Sequence, residues 1–364
     1  MKILRNYFLR EFIGPLFLAL IVLNFVFILG NLVKIAHLII NKGVDIFSVG
    51  KLFLLSIPAL LTYILPIATL VAILLSIGRL SSDNEIVTIK ASGVNLVWLV
   101  LPLLIVGLIL SLVMVICNDR VVPYAHFATR KTLIEVGIKN PAAALEPGEF
   151  ITSFEKYILY IYSINGNKLN NVYIYEPQGD NKPRIIIAKK GEFYVDDEKK
   201  MVKLKLMDGT ADEPDPNNPK NFYKLNFKVY FMTLNLAISG DKDKLEKKPK
   251  DMTIRELKNK IEKLKLEGID ATPLTTEINK KIALAFSTFV FVLLGLPMAI
   301  ITRRREKTLN FGIAFIIVGL YYLLLLGSEA LSLQGYLEPT LALWLPNAVF
   351  GLFGLALTYK ICAY

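Results

Sequence analysis

Few side chains in this sequence are of types that do chemistry, and their spacing narrows that chemistry quickly. In 364 residues there are two histidines, His37 and His126, and two cysteines, Cys117 and Cys362. None has a cysteine, carboxylate or second histidine at metal-ligand or redox spacing. The sequence holds no GxxxxGK[ST] phosphate loop, no HExxH and no GxSxG, so nucleotide hydrolysis, zinc hydrolysis and acyl transfer by this chain are not expected. No catalytic residue, resident metal or cofactor is expected. What remains is charge in unusual places, suited to docking and to recognising other charges.

The first such place is Arg79-Leu-Ser-Ser-Asp-Asn-Glu-Ile-Val-Thr-Ile-Lys-Ala-Ser-Gly93. Ser82 with Glu85 three residues on reads as a capping box. Ile86, Ile89 and Gly93 follow at helical spacing, so a short amphipathic helix with start and stop signals is expected. Two readings of Glu85 stand on the residues alone. It caps the helix and complements its dipole, worth about 0.3–1 kcal/mol, or it is offered with Ile86 and Ile89 to a partner.

The second place is a set of lysines, Lys34, Lys42, Lys51, Lys280 and Lys281, each near the end of an apolar run. Such lysines anchor helices by snorkelling. Gathered at one cavity mouth they would instead attract an anionic headgroup, each contributing about 1 kcal/mol near a charged surface. Glu329, in Leu-Leu-Gly-Ser-Glu-Ala-Leu-Ser, is the carboxylate set inside a fifth apolar run. An acid there is a functional candidate, although one within two turns of a membrane end also reaches headgroups or water. Both readings stand.

The elements that must position these residues follow from hydropathy. Apolar residues make up 54% of the chain and charged residues 20%, against about 25% charged in soluble domains. Residues 12–33, 52–78, 96–117, 282–302, 309–333 and 339–362 are each predominantly apolar, and each has about the ~20 residues that cross a bilayer. Six transmembrane helices are expected. The first is too long for a cleaved signal's apolar core, and Lys2, Arg5, Asn6 and Arg10 among Ile3, Leu4, Tyr7, Phe8 and Phe12 suggest a short interfacial helix leading into it. Gly312, Gly319 and Gly327 on the fifth span are compatible with close helix contacts.

Charge orients these spans. Lys2, Arg5, Arg10, Arg79, Lys90, Arg303, Arg304, Arg305, Lys307 and Lys360 fall on one side, so the positive-inside rule puts both termini in the cytoplasm and residues 118–277 outside. Cys117 and Cys362 then sit on opposite sides and cannot pair. The net charge of +11 does not point to nucleic acid. Residues 118–277 hold 27 Lys/Arg against 24 Asp/Glu, so the basic excess belongs to the membrane part rather than to a folded module with a basic face.

The inserted segment reads as β structure. In Met201-Val-Lys-Leu-Lys-Leu206, Val202, Leu204 and Leu206 alternate with lysines, the period of a half-buried strand. Runs at Tyr157 to Tyr162, Val172 to Tyr175, Arg184 to Ala188 and Asn226 to Leu234 repeat it between turns such as Asn165-Gly166 and Pro214-Asp-Pro216. A sandwich or jelly roll is expected. Thr253-x-x-Glu256 then caps a linking helix whose stripe is Ile254, Leu257, Ile261 and Leu264, ending at Gly268. The expected organisation is residues 1–117 with the interfacial helix and spans one to three, 118–277 as an extracytoplasmic all-β domain with its linking helix, and 278–364 with spans four to six.

Several of these stretches together resemble a known family. Ile64-Leu-Pro66, Gly78-Arg-Leu-Ser-Ser-Asp-Asn-Glu85 and Lys90-Ala-Ser-Gly93 look like the hallmark of the LptF/LptG permeases, membrane subunits of the lipopolysaccharide-export ABC transporter, and the likeness covers the whole chain. Asn140-Pro141 with Gly148-Glu-Phe150, Thr276-Glu-Ile-Asn279 and Glu338-Pro-Thr340 resemble F-type signatures. The G-type subunit, a homodimeric relative and a non-transporting membrane scaffold are the alternatives.

The resemblance implies a polytopic helical protein with a periplasmic jelly-roll-like domain, pairing with a related permease subunit in the inner membrane. It implies a separate cytoplasmic ABC ATPase dimer that binds the ATP, a single-span periplasmic accessory protein and a periplasmic bridge protein, with lipopolysaccharide as substrate. It further implies that Ser82, Glu85, Ile86, Ile89 and Gly93 form the coupling helix, with Glu85 facing a basic residue of the ATPase. Lys34, Lys42, Lys281 and Glu329 become candidates for lipid binding, Lys34 matching a basic position that contacts lipopolysaccharide in relatives. Asn31 stands where F-type relatives can carry a second basic residue. In the family the first and fifth spans of paired subunits form lateral gates.

Overall fold

The computed structural model describes residues 2–40, 45–95, 97–139, 148–154, 157–165, 168–178, 181–196, 201–214, 222–234, 247–302 and 307–363. Its helices are α1 (Lys2–Ile40), α2 (Ile46–Ser82), α3 (Glu85–Ala91), α4 (Val97–Ile116), α5 (Val122–Lys139), α6 (Ile254–Leu266), α7 (Thr272–Thr302), α8 (Lys307–Leu333) and α9 (Pro339–Ala363). Six helical stretches are long and apolar enough to cross a membrane: α1, α2, the α4–α5 run, α7, α8 and α9. They overrun the apolar runs in the sequence. α1 is continuous from the polar start expected as a separate interfacial helix, and α4 passes through a π-helical turn, Cys117–Val121, into α5. Helices run on beyond the apolar stretches because polar residues such as Lys131 and Lys139 are good helix formers.

The chain divides into two compact units, residues 1–30, 55–127 and 247–364 in one and 31–54 and 128–246 in the other. In the first unit α7 is the central helix, with Phe291, Leu294 and Leu296 at 0–1% exposure, and α4 and α9 pack along it. Close approach comes from small residues. A Cβ on Gly354 of α9 would lie 3.1 Å from the Leu294 backbone, and one on Gly107 of α4 would lie 2.8 Å from the Val292 side chain. Gly295 of α7 meets Leu70 of α2 at 3.0 Å in the same way. Gly312, Gly319 and Gly327, which the sequence made compatible with such contacts, would meet nothing within 4 Å among the described residues. Gly312 and Gly327 are exposed and Gly319 is half-buried among the described residues.

Several buried polar groups are bonded across helices, which a bilayer interior favours. Tyr321 donates to Asn347 Oδ1 at 2.9 Å, and Asn347 donates to the Ala283 carbonyl at 2.9 Å, tying α8, α9 and α7. Thr276 and Ser332 share a hydrogen bond of 3.0 Å between α7 and α8. Ser81 donates to the Ile300 carbonyl, which places the C-terminal ends of α2 and α7 together.

The second unit holds β1 (Phe150–Phe154), β2 (Tyr157–Asn165), β3 (Lys168–Gln178), β4 (Asn181–Asp196), β5 (Met201–Pro214) and β6 (Phe222–Leu234) in one antiparallel sheet. The strands pair in chain order, a meander rather than the crossed connections of a jelly roll. A sandwich-like core nevertheless arises, because the sheet is folded along a crease. Tyr162, Asn171, Lys189, Asp208 and Lys228 form a row across β2 to β6 at which the ladder pairs are missing. Asn171 and Asp208 have positive φ, 49° and 52°, which Asn and Asp tolerate best among residues with a Cβ.

The inward parity reverses there. Val172, Ile174, Ile186 and Ala188 are buried on one side of the crease and Leu169, Phe193, Leu204 and Leu206 on the other, all in one cluster. Two half-sheets thus share a core, with the strands themselves turning the corner. Gly209 stands beside the crease because a Cβ there would lie 2.4 Å from the Ile187 carbonyl and 2.4 Å from the Phe227 ring.

The linking helix forms as its sequence predicts. The Thr253 hydroxyl accepts from the Glu256 amide at 3.2 Å, and the Glu256 carboxylate accepts from the Thr253 amide at 2.8 Å. Leu257 is buried against Leu274 and Met252, with Ile261 and Leu264 beside it. Gly268 at φ 72° closes the helix, and the Ile269 amide reaches back to the Leu264 carbonyl.

Candidate functional site

Two arrangements at opposite ends of α7 bring the candidate residues together. At the end marked by Ser81 and Ile300, α2 runs through Ser82 without a break, so Ser82 cannot cap α3. Its hydroxyl bonds back to the Arg79 carbonyl at 2.8 Å. The capping box expected at Ser82 and Glu85 is therefore absent. The N-cap is Asn84 in the left-handed region, φ 60°, with no side-chain cap bond, and the turn Asp83–Asn84 reverses the chain in two residues.

Freed from capping, the Glu85 carboxylate accepts the Tyr7 hydroxyl of α1 at 3.0 and 3.3 Å. One turn further along α1, Glu11 pairs with Arg79 of α2 at 2.9 Å. Phe8 and Phe12 on the same stretch of α1 are 2% and 1% exposed in the main core. The start of α1, α2 and α3 are thus joined by apolar packing and by two polar links.

Ile86 belongs to that core at 4% exposure and Ile89 packs against it. The expectation that Ile86 is offered outward is not met, because its side of the short helix seats α3 on its own bundle. Val87, Thr88, Lys90 and Ala91 are what α3 exposes. Gly93 follows at φ 77°, and its amide bonds to the Lys90 carbonyl, the left-handed stop that its sequence predicts. The pairings Tyr7–Glu85 and Glu11–Arg79 were not legible in the sequence, since contacts 78 and 68 residues apart leave no periodic trace.

At the other end, Lys280 of α7 donates to both Glu329 carboxylate oxygens of α8, at 2.6 and 2.8 Å. These two side chains are 17% and 20% exposed. Neighbouring Lys281 is 7% exposed and donates to the Met252 carbonyl just before α6. Here the π-turn acts as a clasp. Asn118, 2% exposed, accepts from Thr62 of α2 at 2.8 Å and donates to the Lys281 carbonyl at 3.0 Å. Asp119 accepts the Ile254 amide, an orphan donor at the first turn of α6, at 2.7 Å. A π-turn widens the helix by one residue, which brings consecutive side chains onto neighbouring elements.

A cavity of about 150 Å³ opens at this point, lined among others by Tyr63, His126, Lys250, Glu277, Lys280 and Lys281. His126 is a wall of it. The structure therefore brings Lys281 and Glu329 together through Lys280. Lys34 lies in the α1 range, with its side chain outside what the structure describes, and Lys42 lies outside the described residues.

Against this geometry the comparisons are decisive for family. Residues 6–360 match the family model described as Lipopolysaccharide export system permease LptF/LptG. The chain belongs to that family. LptF/LptG membership covers both units, since the match runs from the start of α1 to the end of α9. Among similar proteins, the lipopolysaccharide export system permease protein LptF of Escherichia coli K12 is 23% identical over 96% of this chain and 92% of its own length. The corresponding LptG of the same strain is 23% identical over 87% of this chain and 86% of its own. An uncharacterised Rickettsia prowazekii protein, RP871, is 23% identical over 71% of each. The likeness is more extensive to LptF than to LptG, in line with the F-type signatures in the sequence.

Proposed function

We propose that this chain is the F-type permease subunit of a lipopolysaccharide exporter. It takes the lipid from the inner membrane and passes it by way of its own β unit to a periplasmic bridge, driven by a separate ATPase dimer that binds and hydrolyses the ATP. The single observation carrying this reading is the family match over residues 6–360, which takes in all six spans and the inserted sheet. The related LptG supports a paired permease subunit as the other half of the cavity. Both termini and α3 are cytoplasmic and the sheet periplasmic on this reading, because basic residues lie at the N-terminus, in the loop after α7 and, as Arg79 and Lys90, on either side of the α2–α3 turn. A single-span accessory protein completes the assembly.

In this assignment α3 is the coupling helix, held to its own bundle by Ile86 and to α1 by the Tyr7–Glu85 bond. A basic group on the ATPase would meet Glu85, already oriented by Tyr7. Lys34 and Lys42 are headgroup contacts on this reading.

The test is co-expression with the related permease and the ATPase, extraction in mild detergent and purification on a tag carried by this chain. ATPase and permease should co-purify, and the complex in liposomes should release lipopolysaccharide to the bridge protein in the presence of ATP. Recovery of this chain without either partner would support the membrane-scaffold alternative instead. A self-paired complex would point to the homodimeric one.

A further inference from the structure

We infer that Lys280 is an anion site masked by Glu329, and that a phosphomonoester entering the adjoining cavity takes the place of the carboxylate and releases α8 from α7. The inference rests on the permease reading given above and adds a ligand group, a site and a consequence to it.

The cavity points to its ligand by size and charge. At about 150 Å³ it falls below the ~300 Å³ at which drug-sized ligands begin, so it takes a small polar group rather than a sugar or an acyl chain. Three lysines line it, Lys250, Lys280 and Lys281, with Glu277, the Lys281 ammonium being held on the Met252 carbonyl. Glu329 reaches this set from outside the lining, through Lys280. If Glu329 swings away, the Lys280 ammonium is left with Glu277 as the carboxylate that still acts on it, while Lys281 keeps Glu277, Asp119 and Asp251 around it, and a phosphate anion supplies the charge that Lys280 has lost. Asn118, Thr62 and Tyr63 stand on the same wall with hydrogen-bonding groups.

The exchange is favourable in kind. A partly buried ammonium stripped of its partner is costly, so Glu329 cannot leave until another anion replaces it. A phosphate offers more acceptor oxygens and about twice the charge of a carboxylate. The pair is therefore a lock opened by one chemistry, not by thermal motion.

What the lock holds is also visible. Across α7 and α8 at this end the structure shows the Lys280–Glu329 pair and, one turn outward, the Thr276–Ser332 hydrogen bond. Much of the α8 surface carries large exposed apolar residues, Phe315, Leu323 and Leu326 among them. Exchange of the carboxylate would thus remove the charged tie between α8 and the central helix. The phosphate has two sources, the headgroup of a phosphorylated lipid and the free ion.

The experiment uses the complete transporter in nanodiscs, with spin labels on exposed Ile269, just before α7, and exposed Leu333, at the end of α8. Distances are read with lipopolysaccharide, with the same lipid dephosphorylated, and with inorganic phosphate. Lipopolysaccharide should lengthen the distance, and the dephosphorylated lipid should not. A lengthening with inorganic phosphate as well assigns the free ion as a sufficient ligand, whereas a response to the phosphorylated lipid alone assigns the headgroup. Glu329→Gln should show the longer distance without ligand. The double variant Lys280→Glu/Glu329→Lys, which keeps an ion pair, should restore the short distance and lose the response.

No lengthening with either phosphate source, in wild-type complex that still exports lipid, overturns the exchange and leaves the permease reading standing. A wild-type complex that exports no lipid fails that reading instead. A swapped variant that responds to phosphate as the wild type does also overturns the exchange.

Discussion

The Glu85 carboxylate shows how much one residue's role depends on where the preceding helix stops. A Ser-x-x-Glu pattern reads as a cap, yet α2 keeps Ser82 in its last turn and Glu85 turns to Tyr7. On the proposed coupling role, charge at position 85 matters for docking and much less for folding α3. Glu85→Arg should release or uncouple the ATPase, because like charges would then face one another. Glu85→Gln, which still accepts from Tyr7, should leave the complex assembled with transport reduced a few-fold. Tyr7→Phe removes one hydrogen bond worth about 0.5–1.5 kcal/mol and should lower coupling efficiency, seen as ATP hydrolysed per lipid released, without loss of folded protein. Full ATPase association and transport in Glu85→Arg would exclude the docking role. The signal for α3 itself was legible, in the apolar spacing and Gly93, whereas the pairs Tyr7–Glu85, Glu11–Arg79 and Lys280–Glu329 were not. Each links residues far apart in sequence, and a single chain carries no record of such pairing.

At the scale of elements, α6 and the folded sheet give opposite lessons about legibility. The α6 box at Thr253 and Glu256 uses neighbours three residues apart, so it could be read directly, and the structure keeps it. Burial disfavours ionisation of Glu256, but the ammonium of Lys247 and the hydrogen bonds from Thr253 outweigh it and hold its pKa below the ordinary value near 4.5. A depressed folded value means that the carboxylate's contribution is present above the unfolded value and is lost as pH falls through the folded one. Amide exchange in the first turn of α6 should accordingly speed up, beyond the intrinsic change, below about pH 4. In Glu256→Gln that acceleration should vanish; its persistence there would exclude the carboxylate as the cause. Thr253→Ala should cost about 1 kcal/mol.

The crease was hidden, although part of each of its strands was read, because the parity change at Asn171 and Asp208 makes one long strand look in sequence like a shorter one that stops at the crease. Gly209→Ala should destabilise the β unit by about 1–3 kcal/mol, as its Cβ has only the Ile187 carbonyl and the Phe227 ring to displace. Proteolytic susceptibility of the sheet in the intact protein would report it.

For the whole molecule, hydropathy alone located six spans, but which of them forms the centre depended on residues whose sequence signal is slight. Gly312, Gly319 and Gly327 have the look of a packing face, with their regular spacing on an apolar helix. The contacts are made instead by Gly107, Gly295 and Gly354, on three other helices. In a bilayer, apolar surface gains nothing by burial against other apolar surface, so helices associate where backbones approach closely. That argument separates two substitutions of the same kind. Gly354→Ala puts a methyl group 3.1 Å from the Leu294 backbone, and a main chain inside the central helix cannot yield as a flexible side chain would. Gly319→Ala meets nothing within 4 Å, and replacing glycine within a helix gains about 0.5–1 kcal/mol. In detergent, Gly354→Ala should lower the unfolding temperature and loosen α9 from α7, and Gly319→Ala should hold or raise it. The reverse order would mean that α8, not α9, packs closest on the central helix. If instead Gly319→Ala lowers stability only when the related permease is present, that face of α8 is where the second subunit sits. Comparing the two variants with and without that subunit therefore separates packing within this chain from packing between the halves of the transporter.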